Sequence, residues 1–112
     1  MQTASKKPLR GQMIIPADLP YFDGHFPGRS ILPAVATIEL AINWLSKTLA
    51  KRPLKLVEVR TAKFNAPIFP GHNIELSATQ VGQDEWQVAI ADANSKLQMA
   101  DLRLLFRTQV KS

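Results

Sequence analysis

Hydrophobic positions along this chain change their spacing twice, and the changes separate regular elements from one irregular stretch. Leu9 to Ile15 reads as a first strand, closed by Pro16. Residues 16–33 then hold four prolines and two glycines among Tyr21, Phe22 and Phe26, a composition that breaks regular structure. That loop carries too many large apolar groups to be merely solvated, so it is expected to pack into something. Beyond it, Val35, Ile38, Ile42, Leu45 and Leu49 recur at steps of three and four, the spacing of a buried helical stripe. Leu40, Ala41 and Trp44 widen the stripe past a surface helix's usual arc. Pro33 suits the first helical position, because it supplies a helical φ and lacks an N–H that would be orphaned there. Lys51-Arg52-Pro53 ends the helix, with cations near its negative end and a proline that cannot continue it.

After Pro53 the period shortens. Leu54 to Phe64 is rich in β-branched and apolar residues, and Asn65 to Gly71 interrupts it. Ile74 to Val81, Trp86 to Asp92 and Leu97 to Thr108 follow as strands, with Gly82-Gln83-Asp84 and Ala93-Asn94-Ser95 as the turns between them. Alternation is plain in the first two (Ile74, Leu76, Ala78; Trp86, Val88, Ile90). In the last, the apolar parity shifts between Met99 and Leu102, which marks either a bulge or a strand buried on both faces. One long apolar helix followed by four antiparallel strands predicts an α+β architecture, a curved sheet wrapped around a central helix. Such a unit leaves an edge and a flank exposed, which dimerisation would cover.

Composition bounds the rest. With 112 residues and 46% hydrophobic content, residues 1–112 suit one domain with a real core. Cysteine is absent, so disulfides and thiolate metal sites are excluded, as fits a reducing compartment. The first ten residues lack an apolar core for a secretory signal. The longest apolar stretch, Ile31 to Leu45, is interrupted by Pro33, Glu39 and Asn43 and is too short to span a bilayer. A protein of the cytoplasm, without a membrane span, is expected. The formal charge of +5 favours acidic partners, an acidic carrier protein among them, or serves solubility alone. Nucleic acid is another candidate partner, weakly supported, since the basic residues are dispersed and no aromatic-basic recognition motif occurs.

Nucleophile elbows, phosphate-binding glycine loops and metal-ligand spacings are all missing, which leaves acid–base chemistry. Of two histidines, His25 sits in the constrained Gly24-His25-Phe26-Pro27-Gly28 turn just upstream of the helix. Imidazole can take a proton near neutral pH, although a turn histidine can equally cap a loop. Glu39 falls beside Asn43 and Ser46 at the border of the apolar face. It is either a solvent-facing glutamate or a half-buried carboxyl poised to act as an acid. His72, in Pro70-Gly71-His72-Asn73, reads as an exposed turn residue.

Phe22-Asp23-Gly24-His25-Phe26-Pro27-Gly28-Arg29-Ser30-Ile31-Leu32-Pro33, with Glu39 on the helix beyond it, resembles the 3-hydroxyacyl-ACP dehydratases of fatty acid synthesis. A second landmark, Ala62 to Gly71, is similar to that family's strand and Pro-Gly turn after the helix. Together they span residues 22–71 and are far more specific than either His25 or Glu39 alone. The resemblance implies the hot-dog fold and a homodimer, or a dimer-based higher oligomer, in which His25 meets Glu39 of the partner subunit. It implies reversible removal of water from a 3-hydroxyacyl thioester to give a trans-2-enoyl thioester. No cofactor or metal is implied; the substrate rides on the phosphopantetheine of an acyl carrier protein.

On that pattern, His25 would remove the C2 proton and Glu39 would orient or protonate the departing hydroxyl. Backbone N–H groups of Ala34 or Val35, with Gly28, would meet charge on the thioester oxygen. Phe26, Ile31, Leu32 and Ile38 would line an acyl tunnel, and Arg29 would meet the carrier or its phosphate. Three residues depart from the family pattern: Ser30 replaces a proline, Ala34 a glycine, and Asn43, beside the acid, a glutamine. A methyl at position 34 would narrow the approach to the backbone donor. The chain is also shorter than housekeeping members. These departures point to a divergent relative in a specialised polyketide, aryl-polyene or modified-lipid pathway. Two alternatives stay open: a non-catalytic hot-dog subunit that binds acyl carrier, and a hot-dog acyl thioesterase.

Overall fold

The computed structural model describes residues 8–18, 31–49 and 54–107. Among the described residues six elements follow one another: β1 (Leu9–Ile14), α1 (Ala34–Leu49), β2 (Lys55–Phe64), β3 (Asn73–Gln80), β4 (Glu85–Asp92) and β5 (Gln98–Arg107). The strands form one antiparallel sheet in the order β1-β3-β4-β5-β2, so the chain's first two strands become its two edges. Both turns between the last three strands fall where the glycine- and asparagine-containing breaks predicted them. The cationic end of the helix, Lys51-Arg52-Pro53, lies outside the described residues.

One face of the sheet carries the core. Ile74, Leu76 and Ala78 of β3, Val88 and Ile90 of β4, and Ala100, Leu102, Leu104 and Phe106 of β5 are all buried, and α1 lies across them. Each fully buried Ile or Leu there contributes about 1.5–3 kcal/mol. The parity shift in the last strand is a bulge. Ile90 pairs with Ala100 and Ala91 with Gln98, leaving Met99 as the extra residue, and both Met99 and Ala100 are buried. The bulge exposes the Met99 carbonyl to the loop after β2, where the amides of Asn65 (2.8 Å) and Ala66 (3.3 Å) donate to it.

Two expectations need correction. Val35 is 60% exposed rather than part of the buried stripe; the sheet covers the helix face built on Thr37, Ala41 and Leu45, and Val35 points away from it. Pro33 is the helix cap rather than its first helical residue, because its carbonyl accepts the first intrahelical bond, from the Thr37 amide at 3.0 Å. The Thr37 hydroxyl donates to the same carbonyl at 3.1 Å, which satisfies a side chain only 2% exposed. Strand β2 differs in kind from its neighbours. It is an edge strand, interrupted by register shifts at Val57 and Arg60, and Thr61 to Phe64 are all exposed.

Helix and sheet approach closely at Gly11 of β1, on the inner face. A methyl there would meet Trp44 Nε1 and lie 2.9 Å from Trp44 Cε2. Gly11→Ala is therefore expected to destabilise the protein by about 1–3 kcal/mol through overpacking. Thermal unfolding would show it as a lowered Tm; an unchanged Tm would contradict the close contact.

Candidate functional site

The start of α1 faces the loop that follows β2, and the two enclose a cleft of about 310 Å3. Ile31, Leu32, Ala34 and Thr37 form one wall, and Phe64, Asn65, Ala66, Pro67 and Ile68 the other. Nearly all of these side chains are apolar, so the cleft suits a hydrocarbon chain. The Leu32 amide donates to the Ile68 carbonyl at 2.8 Å and ties the walls together at the base. The amides of Ala34 and Val35 precede the first bond of the helical ladder, so they belong to the set a helix start offers to an anion or a developing oxyanion.

The residues singled out from sequence divide into three groups. His25, Phe26, Gly28 and Arg29 lie outside the described residues, as does the departure at Ser30. Ile31, Leu32 and Ala34 come together in the cleft. Ile38, Val35, Glu39 and Asn43 do not line it. Ile38 packs toward Ala41 and Leu45 in the second core cluster, whereas Val35, Glu39 and Asn43 are exposed on the side of the helix that the sheet leaves uncovered. Within a single chain, therefore, the cleft and Glu39 occupy different sides of the same helix start. Thr37 and the wall from Phe64 to Ile68 were not assigned to the site from sequence. The signal was the Ala62–Gly71 landmark itself, which marks a turn but not what the turn faces.

His72 also differs from expectation. Far from an exposed turn residue, its side chain is one-fifth exposed and its Nε2 lies 2.8 Å from Asp92 Oδ1. The opposite carboxylate oxygen of Asp92 accepts the amides of Ser95 (2.7 Å) and Asn94 (3.2 Å). Hydrogen bonds from the Ser95 amide and from His72 hold the Asp92 carboxyl down, from 3.8 to about 2. An ionised carboxylate only accepts, so His72 Nε2 is the donor. A depressed carboxyl stabilises the fold above its ordinary value and loses that contribution as pH falls through the folded-state value. The stability difference between wild type and Asp92→Asn is thus expected to be full above pH 3.8 and to shrink toward pH 2. Denaturant titrations across the acid range would check this; a constant difference would contradict it.

Among the described residues, no group of three His, Asp or Glu side chains could hold a metal ion, and no helix is long and apolar enough to cross a membrane.

Comparison with known proteins separates fold from family. Its architecture matches the dehydratase heterocomplex ApeI:P from Xenorhabdus doucetiae with a TM-score of 0.76 and 18% identity, over 96% of this chain and 93% of that one. It also matches thioesterase superfamily member 2 from Mus musculus, with a TM-score of 0.67 and 16% identity over 94% of this chain and 78% of that one. The fold is the hot-dog fold, and at such identities the likeness speaks for the fold alone. The deciding observation is in the sequence: the family model described as ApeI-like, ApeI dehydratase, matches residues 1–101. The chain belongs to the ApeI-like dehydratase family. Among curated relatives of this ApeI-like chain is a 3-hydroxyacyl-acyl-carrier-protein dehydratase FabZ from Wolbachia sp. subsp. Drosophila simulans. The two are 40% identical over 65 residues, which cover 53% of this chain and 46% of the relative. The ApeI-like chain spans about half the length of the first curated relatives it matches.

Proposed function

We propose that this ApeI-like protein dehydrates a 3-hydroxyacyl thioester carried on the phosphopantetheine of an acyl carrier protein, giving a trans-2-enoyl thioester. The observation that carries the reading is the apolar cleft opening beside the first amides of α1, in a chain that keeps His25 and Glu39 of the family pattern. His25 takes the proton from C2, and the electron pair forms the C2–C3 double bond. The C3–O bond breaks as the carboxyl of Glu39 protonates the hydroxyl, which leaves as water. The imidazolium of His25 then returns its proton to the Glu39 carboxylate, directly or through solvent, and the centre is reset. Charge gathered on the thioester oxygen meets the N–H groups of Ala34 or Val35, with Gly28. Ile31 and Leu32, with Phe26, hold the acyl chain, Asn43 orients Glu39, and Arg29 meets the carrier. No cofactor takes part.

The working unit is a homodimer whose site uses His25 of one chain and Glu39 of the other. Three features support this. Glu39 and the cleft lie on different sides of the helix start; β2 is an open edge; and Val35 (60%), Phe64 (44%) and Ile31 (39%) leave apolar surface uncovered around them. The pathway is a fatty acid or specialised polyketide or aryl-polyene route in the cytoplasm.

Because the fold is shared with thioesterases, the test must separate water loss from thioester cleavage. Since dehydration is reversible, the protein is expected to hydrate a trans-2-enoyl thioester, seen as loss of the conjugated ultraviolet band with no release of free thiol. Thiol release instead would assign a thioesterase. Neither change would leave a carrier-binding subunit without catalysis.

A further inference from the structure

The two threonines of α1 make the same bond in different settings. Each hydroxyl donates to the carbonyl four residues back, Thr37 to Pro33 at 3.1 Å and Thr48 to Trp44 at 2.8 Å. Thr48 is exposed and sits where the helical ladder is complete. There the Trp44 carbonyl also accepts the Thr48 amide, and the Leu45 amide, in the same peptide unit, donates to Ala41. That unit is held from both sides without the hydroxyl. The unit joining Pro33 to Ala34 is not. Ala34 opens the helix, so its N–H has no partner within it. The helix holds this plane from the carbonyl side alone, through the Thr37 amide at 3.0 Å and the Thr37 hydroxyl.

A peptide plane is rigid, so fixing the direction of the Pro33 carbonyl fixes the opposite direction of the Ala34 N–H. The carbonyl points into the helix and the N–H out of its start, beside the cleft that Ala34 and Thr37 both line. Val35, whose amide belongs to the next plane, is 60% exposed and is not part of the cleft wall. Of the first two amides, that of Ala34 is therefore the donor the cleft presents. Thr37 itself is buried, and threonine forms helices less readily than alanine. Valine would fill the same space with no polar atom to satisfy. What threonine adds at this position is the second bond to Pro33.

We propose that Thr37 is a positioning residue for the dehydration centre: its hydroxyl fixes the peptide plane between Pro33 and Ala34 and so aims the Ala34 N–H at the thioester oxygen. The inference rests on the dehydratase reading above, and the Thr37 hydroxyl acts through Pro33 rather than on substrate. A whole oxyanion donor is worth about 100- to 1,000-fold in turnover. A donor that stays in place but is no longer held on line loses part of that, because a hydrogen bond weakens steeply as it bends. The loss falls on kcat rather than KM, since charge gathers on that oxygen only as the C2 proton leaves.

The test compares wild type with three variants. Thr37→Val keeps the shape and loses the hydroxyl, Thr37→Ser keeps the hydroxyl, and Thr48→Val loses the equivalent bond where the ladder is complete. Thr37→Ala repeats the comparison should the valine variant not fold. Thr37→Val is expected to lower kcat about 5- to 50-fold with KM changed by less than about twofold. Thr37→Ser should recover most of the loss, and Thr48→Val should keep wild-type kcat. The residual dipolar coupling of the Ala34 N–H, measured by NMR without substrate, reads the aim of the donor independently of activity. It should change in Thr37→Val and in neither Thr37→Ser nor Thr48→Val, with the couplings of Ala41 and Leu45 unchanged throughout. An unchanged Ala34 coupling in Thr37→Val would overturn the positioning whether or not the protein is a dehydratase. A changed coupling with wild-type kcat would overturn its contribution to catalysis. An inactive wild type would remove the dehydratase reading and that contribution with it, while the coupling still decides what holds the Ala34 N–H.

Discussion

Replacing His25 with alanine is expected to lower dehydration of a carrier-bound 3-hydroxyacyl thioester by about 100- to 10,000-fold, the range of a lost general base. Glu39→Gln should cost a similar factor, because an amide can orient the hydroxyl but cannot protonate it. The loss in Glu39→Gln would not come from unfolding. Glu39 is exposed on the helix face that the sheet leaves bare, and substitutions at such positions change stability by about 0.5 kcal/mol or less. Initial rates of enoyl product formation, with circular dichroism as a check on the fold, measure both. Wild-type turnover in either variant would remove that residue from the mechanism.

The second large effect concerns the pair. If His25 of one subunit works with Glu39 of the other, each inactive variant holds what the other lacks. A dimer of one His25→Ala chain and one Glu39→Gln chain then has one site with both groups intact and one with neither. Equal amounts of the two variants, unfolded together and refolded, form mixed dimers as about half of the total, with one working site in two. Activity should rise from near zero to about a quarter of wild type. A site built within one chain would give no recovery, because no chain in the mixture carries both groups. Restoration on mixing would thus separate an intersubunit centre from a local one with a signal of at least about 25-fold over the single variants.

Legibility in the sequence followed the range of the interaction. Ile74, Leu76, Ala78, Val88 and Ile90 announce their strands because period-two alternation is written locally by one buried face. Helix α1 was equally plain from its apolar spacing. Val35 was misplaced because the spacing shows that a helix has an apolar side but not which arc the sheet covers. Strand β2 looked like its neighbours, yet its exposure follows from an edge position that only the pairing order decides. The partnership of His72 with Asp92 lies across twenty residues and depends on the β3–β4 register, in which Ile74 opposes Asp92. No local pattern carries it. For the site, the motif and the Pro-Gly landmark were legible, whereas Thr37 and Asn65 to Ile68 became cleft walls only once the loop met the helix start.

The most direct measurement is the intact mass of an acyl carrier protein bearing a 3-hydroxyacyl group, incubated with the wild-type protein. The proposed chemistry predicts a carrier lighter by the mass of one water, with the acyl group still attached and no such loss with His25→Ala. A carrier of unchanged mass, or one returned to its bare phosphopantetheine thiol, would contradict it.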